Sequence, residues 1–362
     1  ISVWIMNLKN NLELENITRA VAVKRITALW ALSETTLGGI LHALHIPITG
    51  IFVGGIAIIF ITLIAYFSEH NVSIIKATII VLIVKGIVSP YTPIAAYISV
   101  LLQGMLGQFL FANKKHLSLS ALILSITTLL FFGFQKIIIY TLVFGRTLWQ
   151  SIDTYANFII EQLNLGGQNV QTIHFSFILI SIYILIHLTA GIFWGILAGR
   201  IPNWITASVN NYDYNLANIK SDISSYSFTK SADNKKSFKK GKRVFLFLII
   251  PIGVIILSYF IPSSELTQPA EVALMIFRAL VITFIWYFYL APLLLNYSKK
   301  YLKKQQNVYT EEVDEILTLL PHLKTIIFYC WAKSSKHRAL QKYRYFLTYS
   351  LIALLLTNFN FE

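Results

Sequence analysis

Long apolar runs, broken by short polar stretches, dominate the chain. They lie at 26–46, 49–67, 72–89, 94–112, 118–146, 172–199, 244–261, 270–297 and 345–358. Most are long enough to cross a bilayer core, which takes about 20 apolar residues as helix. They predict an all-α fold, a polytopic bundle of membrane helices. Gly133 and Lys136 inside the run at 118–146 predict a break or tilt there. The last run is short enough to lie in the interface instead.

Two polar stretches interrupt this pattern. Residues 203–242 are rich in Asn, Ser, Asp and Lys. They divide the chain into a six-span front (1–200), a basic cytoplasmic linker (201–243) and a back part (244–362) with two to three further membrane helices. Within the back part, residues 298–342 are polar. Thr310, followed by Glu311, Glu312, Asp314 and Glu315, reads as a capped helix start. Val313, Ile316, Leu317 and Leu320 then share one face. Pro321 predicts a break or kink. Leu323, Ile326, Ile327, Cys330 and Trp331 extend the apolar stripe to a basic cluster, Lys333, Lys336, His337 and Arg338. The pattern is that of two cytoplasmic amphipathic helices, lying on the membrane surface or docked on a partner.

Composition supports the membrane assignment. The chain is 56% hydrophobic and only 13% charged, against roughly 25% charged for a soluble domain. The net charge is +14, and its distribution sets an orientation. With the N-terminus inside, all but four of the 30 Lys and Arg residues fall on inside segments; the exceptions are Lys85, Lys136, Arg146 and Arg278. Basic residues collect on the cytoplasmic side of membrane proteins. The expectation is therefore a multi-pass integral protein with a cytoplasmic N-terminus, and the positive charge requires no nucleic acid. Residues 1–25 are polar and charged and predict no cleavable signal peptide. The single cysteine, Cys330, excludes an internal disulfide and a thiolate-rich metal site.

The first run carries two patterns. Thr27, Ala31, Thr35, Gly39 and Ala43 recur every four residues and form a ridge of small side chains. Such a ridge lets helices approach closely in lipid, within this chain or against another subunit. Elsewhere on the helix lie Glu34, Gly38, His42 and His45. An ionisable residue in a span is costly and faces protein or a watery cavity. Glu34 and His45, eleven positions apart, are separated by about 20° around an α-helix and share a face. Two histidines are too few ligands for a metal site, so a polar ligand contact is the better expectation.

Lys85 precedes an outer turn with two prolines, Pro90 and Pro93. It either snorkels to the headgroups or meets an anionic ligand. Gly104 and Gly107 predict close helix packing, with Gln103 and Gln108 bonding across helices. Glu271 and Arg278 share a face of a later helix. The 147–171 connection holds Trp149, Asp153, Tyr155 and Glu161 without a basic residue. His174 and His187 have no matching pair on a second helix, which argues against haem. The chain contains no phosphate-binding loop, zinc-protease motif or nucleophile elbow. No catalytic constellation and no cofactor are expected, and the chain is not read as an enzyme.

Residues 25–50, RITALWALSETTLGGILHALHIPITG, carry a resemblance, as does KGIVSPYTPIAAYISVLLQGMLGQFLF within 76–111. With six spans ending inside, they resemble the substrate-binding (S) components of energy-coupling-factor (ECF) vitamin transporters. The similarity covers residues 20–200. It implies a six-helix front domain in a bacterial inner membrane, binding a vitamin-like small molecule near the outer face. It implies that Thr27, Ala31, Thr35, Gly39 and Ala43 dock a membrane coupling subunit served by cytoplasmic ATPase subunits. The solute mouth would draw on His42, His45, Lys85, Tyr91, Trp149, Asp153 and Tyr155, with Glu34 as a further polar contact. S components end after six spans, whereas this chain continues. Its tail is loosely similar to the coupling (T) component, with WAKSSKHRAL at 331–340 a degenerate echo of that component's signatures. The alternative is a non-transporting scaffold subunit of a larger membrane complex, also surrounded by lipid.

Overall fold

The computed structural model describes residues 19–43, 49–68, 73–89, 92–113, 116–163, 174–211, 268–335 and 339–356. The run expected at 244–261 lies outside them. The described residues are almost entirely helical. In order they form α1 (Arg19–Leu32), a π-helical turn (Ser33–Leu37), α2 (Gly38–Ala43), α3 (Thr49–Phe67), α4 (Ser73–Val88) and α5 (Ile94–Leu110). Then follow α6 (Leu117–Phe144), α7 (Arg146–Gln162), α8 (Phe175–Asn211) and α9 (Gln268–Ile285). A second π turn (Trp286–Leu290) leads to α10 (Ala291–Gln306), α11 (Thr310–Ser334) and α12 (Ala339–Leu356). Among the described residues, four stretches are long and apolar enough to cross a membrane: α3, α6, Phe175–Ile205 of α8, and Ala273–Leu294. α5 is apolar but shorter.

The helices group into two compact units that interleave along the chain. One comprises the described residues of 1–129, 189–231 and 299–362; the other comprises those of 130–188 and 232–298.

In the first unit, α1 packs on α3, α4 and α11. Its buried core runs through Ile26, Trp30, Ile58, Ile61, Val81 and Ile316. Thr27, Ala31 and Thr35 of the small-residue ridge are buried there, so this chain's own helices occupy that part of the ridge. No described atom lies within 4 Å of a side chain added at Gly39. Two buried hydroxyls are satisfied locally: Thr62 and Thr78 donate to Ile58 O (2.8 Å) and Ile74 O (2.7 Å) one turn earlier.

Glycines set the closest crossings. On α8, Gly191, Gly195 and Gly199 form a four-residue ridge against the α6 backbone. A Cβ on them would come within 3.0 Å of Ile126 Cα, 2.7 Å of Leu122 Cα and 3.0 Å of Ser118 Cα. Lipid offers no hydrophobic drive between helices, so this backbone contact is what packs them. A side chain at Gly104 would overlap Thr78. Beside it, Gln103 donates to Gly54 O (3.3 Å), and Gln108 accepts from the Ile75 N–H (3.2 Å). The two glutamines thus bond across helices.

α6 is continuous through Gly133 and Lys136, where a break was expected. Gly133 instead makes room for the His187 ring, 3.1 Å from an added Cβ. The chain turns at Gly145, whose φ of 73° favours glycine.

The tail differs from expectation in two details. α11 runs unbroken through Pro321. Its first residue, Thr310, donates back to Gln306 O (2.8 Å) rather than capping the helix. Of the expected apolar stripe, Val313, Ile316, Leu320, Leu323, Ile326 and Cys330 are buried, Leu317 and Ile327 are half-buried, and Trp331 is exposed. That face lies on α1, α4 and α12. Ion pairs border it, Lys24 to Glu315 (2.5 Å) and Lys76 to Glu312 (2.7 Å). Arg25 reaches across to donate to Leu354 O (3.0 Å), in the last turn of α12, where a helix presents unpaired carbonyls and negative potential.

Two outcomes follow from this packing. Gly195→Leu forces atoms into the α6 backbone and costs about 1–3 kcal/mol; Gly39→Ala meets no neighbour and is neutral or stabilising. Thermal unfolding in detergent measures both. The second concerns Glu312, whose carboxyl the hydrogen bond from Lys76 holds below the ordinary range, against a weaker upward push from burial. Its contribution is complete at neutral pH and is lost as pH falls through the lowered value. Glu312→Gln therefore flattens the acid side of the stability–pH curve, by less than about 1 kcal/mol.

Candidate functional site

Glu34 sits in the π-helical turn between α1 and α2, in the local sequence Ser33-Glu34-Thr35-Thr36. The Gly38 N–H bonds Ser33 O, the i to i+5 pattern of a π turn. Hydroxyls fill in around it. Ser33 donates to Trp30 O (2.8 Å), Thr35 to Ala31 O (2.8 Å) and Thr36 to Leu32 O (2.6 Å). The extra residue turns everything after it by about 100° relative to a regular α-helix. The straight ridge expected from Thr27 to Ala43 therefore loses its register after Thr35. His45, expected to share a face with Glu34, lies outside the described residues.

Across from Glu34, Lys85 projects from the last turn of α4. Its Nζ lies 2.6 Å from Glu34 Oε2, and each side chain is only 2% exposed. Lys85 does not snorkel to the headgroups; it turns into the protein. A Cβ added at Gly38 would make ordinary contacts, 4.0 Å from Glu34 Oε2 and 3.8 Å from Val53 Cγ1. Beyond Lys85, the Thr92 hydroxyl donates to Ser89 O (2.9 Å) and Ser89 Oγ (2.9 Å).

The pair is isolated. Among the described residues neither side chain makes another hydrogen bond. An ammonium has three donors and a carboxylate two acceptor oxygens, so bonding capacity remains unused on both. One turn before Glu34, Trp30 is fully buried with its indole N–H unbonded among the described residues. Burying two charges costs several kcal/mol each unless they are paired and their remaining capacity is met. Chemically, the arrangement offers donors and an acceptor to a small polar molecule inside an apolar bundle.

Tyr91 lies outside the described residues, and His42 contributes only its position in α2. Trp149, Asp153 and Tyr155 belong to α7 in the second unit. Trp149 Nε1 donates to Thr141 Oγ1 (3.0 Å). Asp153 accepts from the Ser176 N–H (2.7 Å) and the Ser176 hydroxyl (2.9 Å), so it caps the first turn of α8. Desolvation raises its carboxyl pKa, but these bonds and His174 outweigh it and hold the group below its ordinary range. His187 is buried, with Nδ1 2.9 Å from Tyr183 O. The described residues contain no group of three metal-ligating side chains. A cavity of about 410 Å³ in the first unit has Arg19, Lys24, Lys76, Glu311, Glu312 and Glu315 among its lining residues, beside apolar ones such as Val23, Phe67 and Ile316.

Sequence reasoning missed the pairing of Glu34 with Lys85, although it singled out both residues. Two opposite charges, Glu34 alone in its apolar run and Lys85 near the far end of the run at 72–89, were the available signal. Comparison with known protein families, with characterised proteins and with solved structures finds no match.

The pair makes a sharp prediction for stability. Removing one partner of a buried pair costs about 3–5 kcal/mol, whereas replacing both by apolar groups is close to neutral. Lys85→Met and Glu34→Met should each lower the midpoint of thermal unfolding in detergent, and the double variant should recover most of the loss. Additive losses would show that the two residues are not coupled.

Proposed function

We propose that the chain is the solute-binding membrane subunit of an ECF-like uptake transporter. In this reading a vitamin-like small molecule completes the hydrogen bonding of Glu34 and Lys85, and ATPase subunits on the cytoplasmic side supply the energy. The observation that carries it is the buried ion pair at a π-helical turn, whose two side chains make no further hydrogen bond among the described residues. Both features concentrate at functional sites in membrane helices. The six-span pattern of the front half adds support.

The orientation has the N-terminus in the cytoplasm of a bacterial inner membrane. In support, Lys24 and Lys76, both on expected inside segments, meet the acidic start of α11. The tail takes the place of a docked helix on α1, in keeping with its loose similarity to a coupling component. The scaffold reading rests on the helix-one ridge and the amphipathic tail as surfaces for other subunits. Both surfaces are covered in part by this chain's own helices.

The test is uptake of a panel of radiolabelled water-soluble vitamins by cells carrying or lacking the chain. One compound should accumulate only in cells that carry it, and Glu34→Gln should reduce that uptake at least tenfold. Identical uptake of every compound would overturn the proposal.

A further inference from the structure

α7 has a strongly two-sided sequence, RTLWQSIDTYANFIIEQ, yet none of its residues is buried. It lies between two helices that are long and apolar enough to cross a membrane. The chain leaves α6 at Phe144, turns at Gly145 and enters α7 at once. Two bonds then fix α7 to the ends of those helices. Trp149 holds the last turn of α6 through Thr141, and Asp153 holds the first turn of α8 through Ser176. α7 is thereby held at the level where α6 and α8 reach the edge of the hydrocarbon.

Its exposed side is divided. Tyr155, Ile159 and Leu163, the last just past the helix end, recur every four residues and are 68%, 38% and 60% exposed. Successive members turn by only about 40°, so they make one stripe. Gln150 and Thr154 are exposed on a different side. Next to the two anchor bonds, Leu142 on α6 and Phe177 on α8 are also exposed and apolar, so the stripe continues the surface those helices turn to hydrocarbon.

We propose that α7 is an interfacial helix whose Tyr155–Ile159–Leu163 stripe inserts into the bilayer surface. Its charged residues are Arg146, Asp153 and Glu161, one basic and two acidic, which gives no attraction to anionic lipid. The surface it fits is therefore that of electrically neutral, zwitterionic phospholipid, with the Tyr155 ring at headgroup level. Tyr155 then faces lipid rather than a solute. This proposal stands apart from the carrier reading and survives if that reading fails.

The native Cys330 is fully buried, and burial pushes its thiol up to about 12 against the opposing charge of Lys333. Labels therefore go to introduced cysteines. Tyr155→Cys, Ile159→Cys, Gln150→Cys and Thr154→Cys in the full chain are tagged with an environment-sensitive fluorophore. They are placed in nanodiscs of phosphatidylcholine, with and without phosphatidylglycerol. At 155 and 159, quenching by a shallow doxyl-lipid should exceed quenching by aqueous iodide several-fold. At 150 and 154 the order should reverse, and both lipid compositions should agree. Three results would each overturn the proposal: iodide quenching at 155 and 159, shielding of both from both quenchers as a covering protein gives, or insertion only with phosphatidylglycerol.

Discussion

Two opposite charges buried in one apolar bundle constrain the front of this protein. A lysine or a glutamate alone among Ile, Val and Leu side chains is too costly to keep, so each dictates where the other must be. Glu34 and Lys85 come from runs far apart in sequence, and their contact ties the π turn after α1 to the last turn of α4. The π turn positions the carboxylate for this contact. The carrier reading follows from the bonding of the pair: it neutralises both charges, and among the described residues neither side chain makes another hydrogen bond.

Toward its start, the same first helix is held by electrostatics of another kind. There the pairs Lys24–Glu315 and Lys76–Glu312 are partly exposed, so solvent screens them and each contributes little. Apolar burial under α11 does most of that work, with Val313, Ile316, Leu323 and Ile326 nearly inaccessible. The ion pairs set register on a surface that hydrophobic area stabilises. One helix thus has a firm, dry polar contact and a softer, wet one.

Much of this was legible in the sequence because it depends on composition over many residues. Apolar runs located α3 to α6, α8 and α9, and the periodicity after Thr310 found the buried face of α11. What escaped depends on single backbone events. A π turn adds one residue to a repeat, and no propensity marks it, so the ridge through Gly39 and Ala43 was drawn on a helix that does not stay regular. Pro321 sits within a continuous helix, a context that local rules count as unfavourable. Asp153 looked like a ligand group, but it serves the unpaired N–H at the start of α8, a partner 23 positions away that local pattern does not reach. The glycine ridge of α8 could have been found, since Gly191, Gly195 and Gly199 keep a strict four-residue spacing.

The central claim is that Glu34 and Lys85 serve a solute as well as the fold. The charge-exchanged protein, Glu34→Lys with Lys85→Glu, tests this most directly, because it keeps a buried pair while reversing the groups a ligand would meet. Uptake and thermal unfolding are measured on the same variant. The account predicts that the midpoint stays near that of the parent while uptake is lost. A variant that keeps both stability and uptake would contradict it and leave the pair a purely structural one.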